Sequence, residues 1–194
     1  MTAATPVRFA TAADLIRLPP DMRAEIIDGE VVEKASPLPE HGVAQLGLGS
    51  QLFGAFHRRA GEGPPGGWWL MTEVEVEYEP HQVYRHDLVG WRRERAPQRP
   101  TGSPVTIRPD WVCEILSPSN AQNDLVRKLR TLQRACVPHY WLVDPSNKTL
   151  TVLRFTPDGY LTALTAGGSD IARAEPFEAV EIHLVRVFDE DATT

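Results

Sequence analysis

Apolar and polar positions along this chain repeat with two different periods, and the switches between them mark its elements. Near the start, "TAADLIRLP" reads as one short helix. "AEIIDGEVVEK" sets two short apolar runs on either side of Asp28-Gly29, which predicts a hairpin. "SPLPEH" is a proline-bearing loop ahead of a helix start. From His41 to about Ala60, Val43, Leu46, Leu52, Phe53 and Phe56 recur at helical spacing, and "GEGPPGG" ends the run. "WWLMTEVEVEY" alternates residue by residue and predicts a strand, "QVYRHDLVGW" a second and "RPDWVCEILSPS" a third. Ser119 or Asn120 then stands ready to cap a helix whose buried stripe is Leu125, Leu129, Leu132 and Cys136. "VPHYWLVDP" predicts a buried strand, and "KTLTVLRF" and "GYLTALTAG" a hairpin through Pro157-Asp158-Gly159. "FEAVEIHLVRVF" predicts a strand followed by a short helix. The order implies an α/β (α+β) fold, a mixed sheet flanked by helices with extra hairpins.

The third strand carries an oddity. In a stretch that otherwise reads as dry, Asp110 and Glu114 share a face with Val112 and Leu116. A buried carboxylate without a partner costs several kcal/mol or stays protonated. Asp87 lies in the strand just before. If the two strands are neighbours, Asp87 and Glu114 converge. Converging carboxylates suit a hard divalent cation such as Mg²⁺ or Mn²⁺. The alternative is that each acid pairs with one of the 17 arginines.

Lysine is rare here: Lys34, Lys128 and Lys148 are all there are. In the helix after the third strand, Arg127, Arg130 and Arg134 lie opposite the leucine stripe. The helical step of about 100° puts Lys128 on the stripe's flank, from where it can reach inward. A point charge there suits orienting a water or stabilising a developing anion. The plainer reading is an i, i+4 surface pair with Asp124.

Length and charge narrow the picture further. A chain of 194 residues is expected to form one domain with a real core. No apolar run reaches membrane-spanning length and the N-terminus lacks a signal-peptide core, so a cytoplasmic location is expected. Cys113 and Cys136 have no metal-ligand spacing and read as reduced core thiols. The net charge of −6 argues against nucleic acid, yet Arg85 to Arg108 holds six arginines against Asp87 and Glu94, a basic island with Arg92, Arg93, Arg95 and Arg99 in a loop. That island could meet a polyanion or simply be a solvated loop.

"RPDWVCEILSPSNAQNDLVRKL" followed by "RACVPHYWLVDP" resembles the Uma-type branch of the PD-(D/E)XK nuclease superfamily, restriction-endonuclease-like proteins found largely in bacteria. "AEIIDGEVV", "SPLPEHG" and "RHDLVGWRRER" support the resemblance, which covers roughly Leu15 to Val187. It implies a restriction-endonuclease-like core. It also implies a site with Asp87 as the first acid, Glu114 as the second and Lys128 as a lysine displaced to the following helix. Leu116 stands in the superfamily's usual lysine slot, and His86 stands where the family commonly has Pro. The literal Pro109-Asp110 has no downstream acid-x-Lys, which leaves Asp110 as a supporting group or an Arg108 neighbour. Glu25 and His41 match family positions beside the site, and Asp124 stands with them as a supporting acid.

The resemblance thus implies an Mg²⁺- or Mn²⁺-dependent endonuclease acting on DNA. Asp87, Glu114 and the Ile115 carbonyl would hold the metal, Lys128 would steady water or phosphate, and Arg92 to Arg99 would touch the backbone. A homodimer is expected, since cutting both strands of a duplex is simplest with two sites on a dyad. The strands "KTLTVLRF" and "GYLTALTAG" are the candidate interface. The alternative is a nuclease fold without turnover, serving as a nucleic-acid-binding or regulatory module.

Overall fold

The computed structural model describes residues 8–34, 36–59, 63, 65–118 and 121–189. Helix α1 (Ala12–Leu15) precedes the hairpin β1 (Ala24–Ile27) and β2 (Glu30–Glu33). Asp28 and Gly29 both take positive φ, 54° and 80°, the backbone a two-residue hairpin turn demands. Helix α2 (Pro39–Phe56) starts with Pro39 in its first turn after an extended Leu38. The strands β3 (Trp68–Glu79) and β4 (Gln82–Arg92) form a long hairpin, and β5 (Trp111–Ile115) follows the arginine loop. A π-helical turn (Asn123–Lys128) runs into α3 (Leu129–Arg134). Then come β6 (His139–Asp144), β7 (Thr149–Thr156), β8 (Gly159–Gly167), β9 (Ile171–Ala172), β10 (Ile182–His183) and α4 (Leu184–Val187). The expected cap at Ser119 or Asn120 lies outside the described residues.

Among those residues eight strands make one sheet, in the order β2-β1-β4-β5-β6-β7-β8, with β3 also on β4. Only β5 and β6 run parallel; their crossover is the π turn and α3. Helices α2 and α4 pack on one face, over Trp68, Trp111, Trp141 and Phe177. The Phe177 ring lies 4.7 to 5.7 Å from those of Phe56, Trp68, Trp111 and Trp141. The other face packs Val89, Trp91, Val112 and Tyr140 against Leu132.

Two helix stripes differ from expectation. On α2 the buried positions are His41, Ala44, Leu48, Leu52 and Phe56, while Val43, Leu46 and Phe53 stay exposed. The inward line thus keeps an i, i+4 spacing and uses small Ala44. Gly47 lets α4 come close, because a Cβ there would collide with the Arg186 carbonyl. After β5, Asp124, Lys128, Thr131 and Leu132 face inward and Leu125 faces water. The wider π turn winds fewer degrees per residue, which rotates the buried face away from the one a 100° step implies. Cys136 is exposed rather than a core thiol, since α3 ends at Arg134 and Cys136 takes a left-handed φ of 54°; Cys113 is buried.

Candidate active site

The edge of β4 that faces β1 and β5 is divided between them. Strand β1 meets it at Val83, and β5 at Leu88, Val89 and Gly90. Over the stretch between, side chains stand in for strand partners. The Arg85 N–H donates to Glu25 Oε1 at 2.8 Å, and the Arg85 carbonyl accepts from Lys34 Nζ at 2.8 Å. The Ile115 N–H donates to Asp87 Oδ2 at 2.7 Å. On the opposite edge the β3–β4 pairing skips Glu73, which holds a φ of 56° across from Asp87. Gln45 Nε2 donates to the Asp87 carbonyl instead, at 2.8 Å. A left-handed non-glycine inside a strand is strained, and here the strain sits beside the buried acids.

The alternation of faces slips at the same place. Counting by twos from Trp91 and Val89 would put Asp87 on the α3 side of the sheet. It is His86 that points there. His86 Nδ1 lies 2.6 Å from Glu114 Oε1 and its Nε2 lies 2.7 Å from the Tyr78 hydroxyl. Burial holds the His86 pKa down at about 3, with the Lys128 charge adding to the effect, so the ring is neutral. Against an ionised Glu114 its Nδ1–H donates and its Nε2 accepts from Tyr78.

Two lysines and four carboxylates meet in this fork. Lys128 Nζ lies 2.8 Å from Glu25, 3.2 Å from Glu114 Oε1 and 2.9 Å from Asp124 Oδ1. Lys34 Nζ lies 2.6 Å from Asp87 Oδ1 and 3.8 Å from Glu114 Oε2. His41 Nε2 reaches Asp87 Oδ2 at 3.2 Å. Asp87, Glu114 and Lys128 are each only 1% exposed. The structure thus brings Asp87, Glu114, Lys128, Glu25, His41 and Asp124 together. The Asp124–Lys128 pair is an i, i+4 pair, but a buried one rather than a surface one.

Burial drives the Glu114 pKa up to about 7, with Lys128 and Lys34 opposing and Asp87 adding to the rise. Asp124 is likewise raised by burial to about 7 against the pull of Lys128. For Asp87 burial also pushes upward, but the His41 contact and the Lys34 charge outweigh it and hold the carboxyl below its usual range. Burial again works against ionisation at Glu25, and the charges of Lys128 and Lys34 overcome it. The result is two carboxylates matched by two lysines and two more straddling neutrality.

Other residues singled out from the sequence lie elsewhere. Asp110 sits just ahead of β5, about 13 Å along the strand from Glu114. It accepts from Arg95 Nε at 2.7 Å and from the Arg92 N–H at 2.8 Å, so it anchors the arginine loop and supports no site acid. Arg108 turns away to the Cys136 carbonyl at 2.7 Å. Arg92 and Arg93 lie over the Trp68 and Trp69 rings, 4.6 and 3.6 Å from the centroids, and Arg99 is exposed. Ile115 lines the crevice over the acids. Sequence reasoning missed Lys34, His86 and Gln45 as members of the site; the scarcity of lysine was the one signal that could have raised Lys34.

A crevice of about 10 Å³, room for about one water, reaches the cluster at Lys34, His41 and Asp124, with Ile115 and Ser117 on its walls; Asp87 and Glu114 lie behind that lining. His41 and Ser117 also line an outer cleft of about 360 Å³ with Leu116, Pro118 and Pro145. A larger apolar groove between α2 and β3, lined by Leu46, Phe53 and Met71, contains none of these acids. Glu114 Oε2 is buried with no hydrogen-bond partner. Among the described residues no three His, Cys, Asp or Glu side chains converge as a ready metal-ligand set. The surplus of carboxylate and the unpartnered Oε2 fit a hard cation held by two acids, with oxygens of water or substrate completing its shell.

No curated protein matches the chain. A crystal structure titled as a "putative nuclease belonging to DUF820" from Anabaena variabilis ATCC 29413 superposes with a TM-score of 0.68. It is 19% identical and covers 93% of this chain and 98% of that one, a likeness of fold. The family model "Uma2: Putative restriction endonuclease" matches residues 12–185. Its span takes in the hairpin, the fork, the π turn and every acid and lysine of the cluster, and the chain belongs to the Uma2 family.

Proposed function

We propose that the protein is a metal-dependent endonuclease that hydrolyses phosphodiester bonds in DNA. The observation that carries this is the fork of β4. There four buried carboxylates face two lysines, Glu114 Oε2 is buried without a hydrogen-bond partner, and a small crevice reaches the neighbouring Lys34, His41 and Asp124. Asp87 and Glu114, with the Ile115 carbonyl, would hold Mg²⁺ or Mn²⁺. A bound ion polarises a phosphate oxygen and lowers the pKa of a water. His41 fixes Asp87 and lines both crevice and cleft, so it is the imidazole an entering phosphodiester meets. Lys128 has three acceptors around its three donors, so it positions Glu114 rather than touching water. Arg92 lies about 16 Å along β4 from Asp87, so Arg92, Arg93, Arg95 and Arg99 would contact DNA backbone away from the cut.

Supercoiled plasmid should be nicked or cut by the clean protein with Mn²⁺ or Mg²⁺, and the ion should raise the melting temperature by a few degrees. Both effects should vanish in Asp87→Ala. A stabilisation that persists in that variant would place the ion elsewhere. One observation favours the non-cutting alternative: Lys34 already neutralises Asp87 at 2.6 Å. Metal binding without cleavage of duplex, single-stranded DNA or RNA would favour that reading.

Two sites on a dyad would serve both strands of a duplex, so the working unit is read as a homodimer. β8 ends the sheet with Leu161 half exposed, an open edge for pairing with a second copy. Sedimentation at micromolar concentration should give twice 21.6 kDa. A mass of one chain, unchanged by DNA and metal, would rule the dimer out. Among the described residues no helix is long and apolar enough to cross a membrane.

A further inference from the structure

Among the described residues, Lys34 is the lysine in contact with the first acid of the fork, where His41 also reaches it. It follows β2 directly, where its N–H donates to the Arg23 carbonyl and ties the backbone to β1's approach. Its side chain crosses to the divided edge of β4. One ammonium donor goes to the Arg85 carbonyl at 2.8 Å and one to Asp87 Oδ1 at 2.6 Å. Glu114 Oε2 lies next nearest, at 3.8 Å, too far for a hydrogen bond. The ammonium therefore stands between the two carboxylates proposed as metal ligands, in contact with one and short of the other.

Lys128 offers the contrast. Its three acceptors lie within 3.2 Å, and it takes no part in lining the crevice. Lys34 does line it, together with Arg23, Ser36 and Pro37. A lysine on a flexible four-carbon stem that already lines that opening can swing out along it. Resting on the metal-site reading above, the geometry points to Lys34 as a tethered cation that occupies the seat between Asp87 and Glu114 and is displaced when a divalent ion binds. A single charge at one end of the pair leaves Glu114 Oε2 unpaired; a divalent ion between them engages both acids. Because the ion must displace the ammonium, its affinity is set below what the bare carboxylates would give.

Calorimetric titration of Mn²⁺ into the wild-type chain, Lys34→Met and Asp87→Asn tests this. Lys34→Met should bind Mn²⁺ roughly tenfold tighter or more, and Asp87→Asn should lose binding. Equal or weaker binding by Lys34→Met, with the Asp87→Asn loss intact, would overturn the role of Lys34 and leave the metal site standing. No binding by either parent or Lys34→Met, or unchanged binding by Asp87→Asn, would remove the metal site and this inference with it. Should Lys34→Met fail to fold, the wild-type chain answers alone, because it has only three lysines. Amine labelling read by mass spectrometry should show Lys34 reacting faster with Mn²⁺ present, buried Lys128 and exposed Lys148 serving as controls. A Lys34 rate that is unchanged or slowed by the ion would overturn the displacement.

Discussion

Replacing Lys128 with methionine should lower the melting temperature at neutral pH by roughly 10 °C or more. The side chain is among the largest fully buried ones, and its ammonium bridges Glu25, Glu114 and Asp124. Its removal leaves those carboxylates buried with only Lys34 nearby. Breaking a buried pair by deleting one partner costs about 3–5 kcal/mol, and in a domain of this size each kcal/mol moves the midpoint about 2–4 °C. Methionine fills most of the stem's volume, so the loss reads charge rather than cavity. The deficit should be largest at alkaline pH and shrink as pH falls through neutrality, because Glu114 and Asp124, at about 7 with the lysine in place, are pushed higher still without it and protonate there. Circular dichroism melts across pH decide it; a midpoint within two degrees of wild type, about the scatter of such melts, would show that the cluster does not need this cation. An inactive Lys128 variant says nothing about catalysis until it is shown to be folded.

Glu114→Gln should stabilise the metal-free protein at alkaline pH and do little near pH 5. The Glu114 pKa in the folded chain is raised from 4.5 to about 7, chiefly by burial. A raised acid contributes stability that is full below its unfolded pKa and is lost as pH rises through the folded one. The window is therefore about pH 4.5 to 7, and the loss across it is at most about 3 kcal/mol. Glutamine keeps the shape and stays neutral, so it removes this slope. Asp124, raised to about 7, keeps a slope of the same sign in the variant. Asp87 and Glu25 are lowered, so their contribution is present above their unfolded values and fades only in acid. Urea titrations at pH 5 and pH 8 without metal measure the difference. Parallel wild-type and variant curves would show that Glu114 is not the group that titrates.

The elements were legible because burial of one strand face or one helix stripe writes a local period into the sequence. The Asp28-Gly29 turn, the β3–β4 hairpin, β5 and the β7–β8 hairpin all follow from it. So does the anomaly of Glu114, since an acid among Val112, Cys113 and Ile115 stands out in any reading of the strand. The stripe after β5 was misjudged because the π turn over Asn123–Lys128 breaks the constant angular step on which periodicity rests. Asp110 does stand at the strand's start beside arginines, but that its partners are Arg95 and the Arg92 N–H rather than Arg108 depends on the path of the loop, which no local period records.

The sequence by itself determined the family, the order of elements and two of the acids that meet. The tertiary structure decided how the charges are matched. Lys34 and Asp87 are 53 residues apart, and Lys128 and Glu25 are 103 apart. No local period records such pairs, because they arise where β4 passes from one neighbour to another and leaves backbone groups for side chains to satisfy. The turn of His86 toward Glu114 has the same origin. It sits opposite the left-handed backbone of Glu73 on the facing strand, an irregularity that the side-chain pattern does not encode.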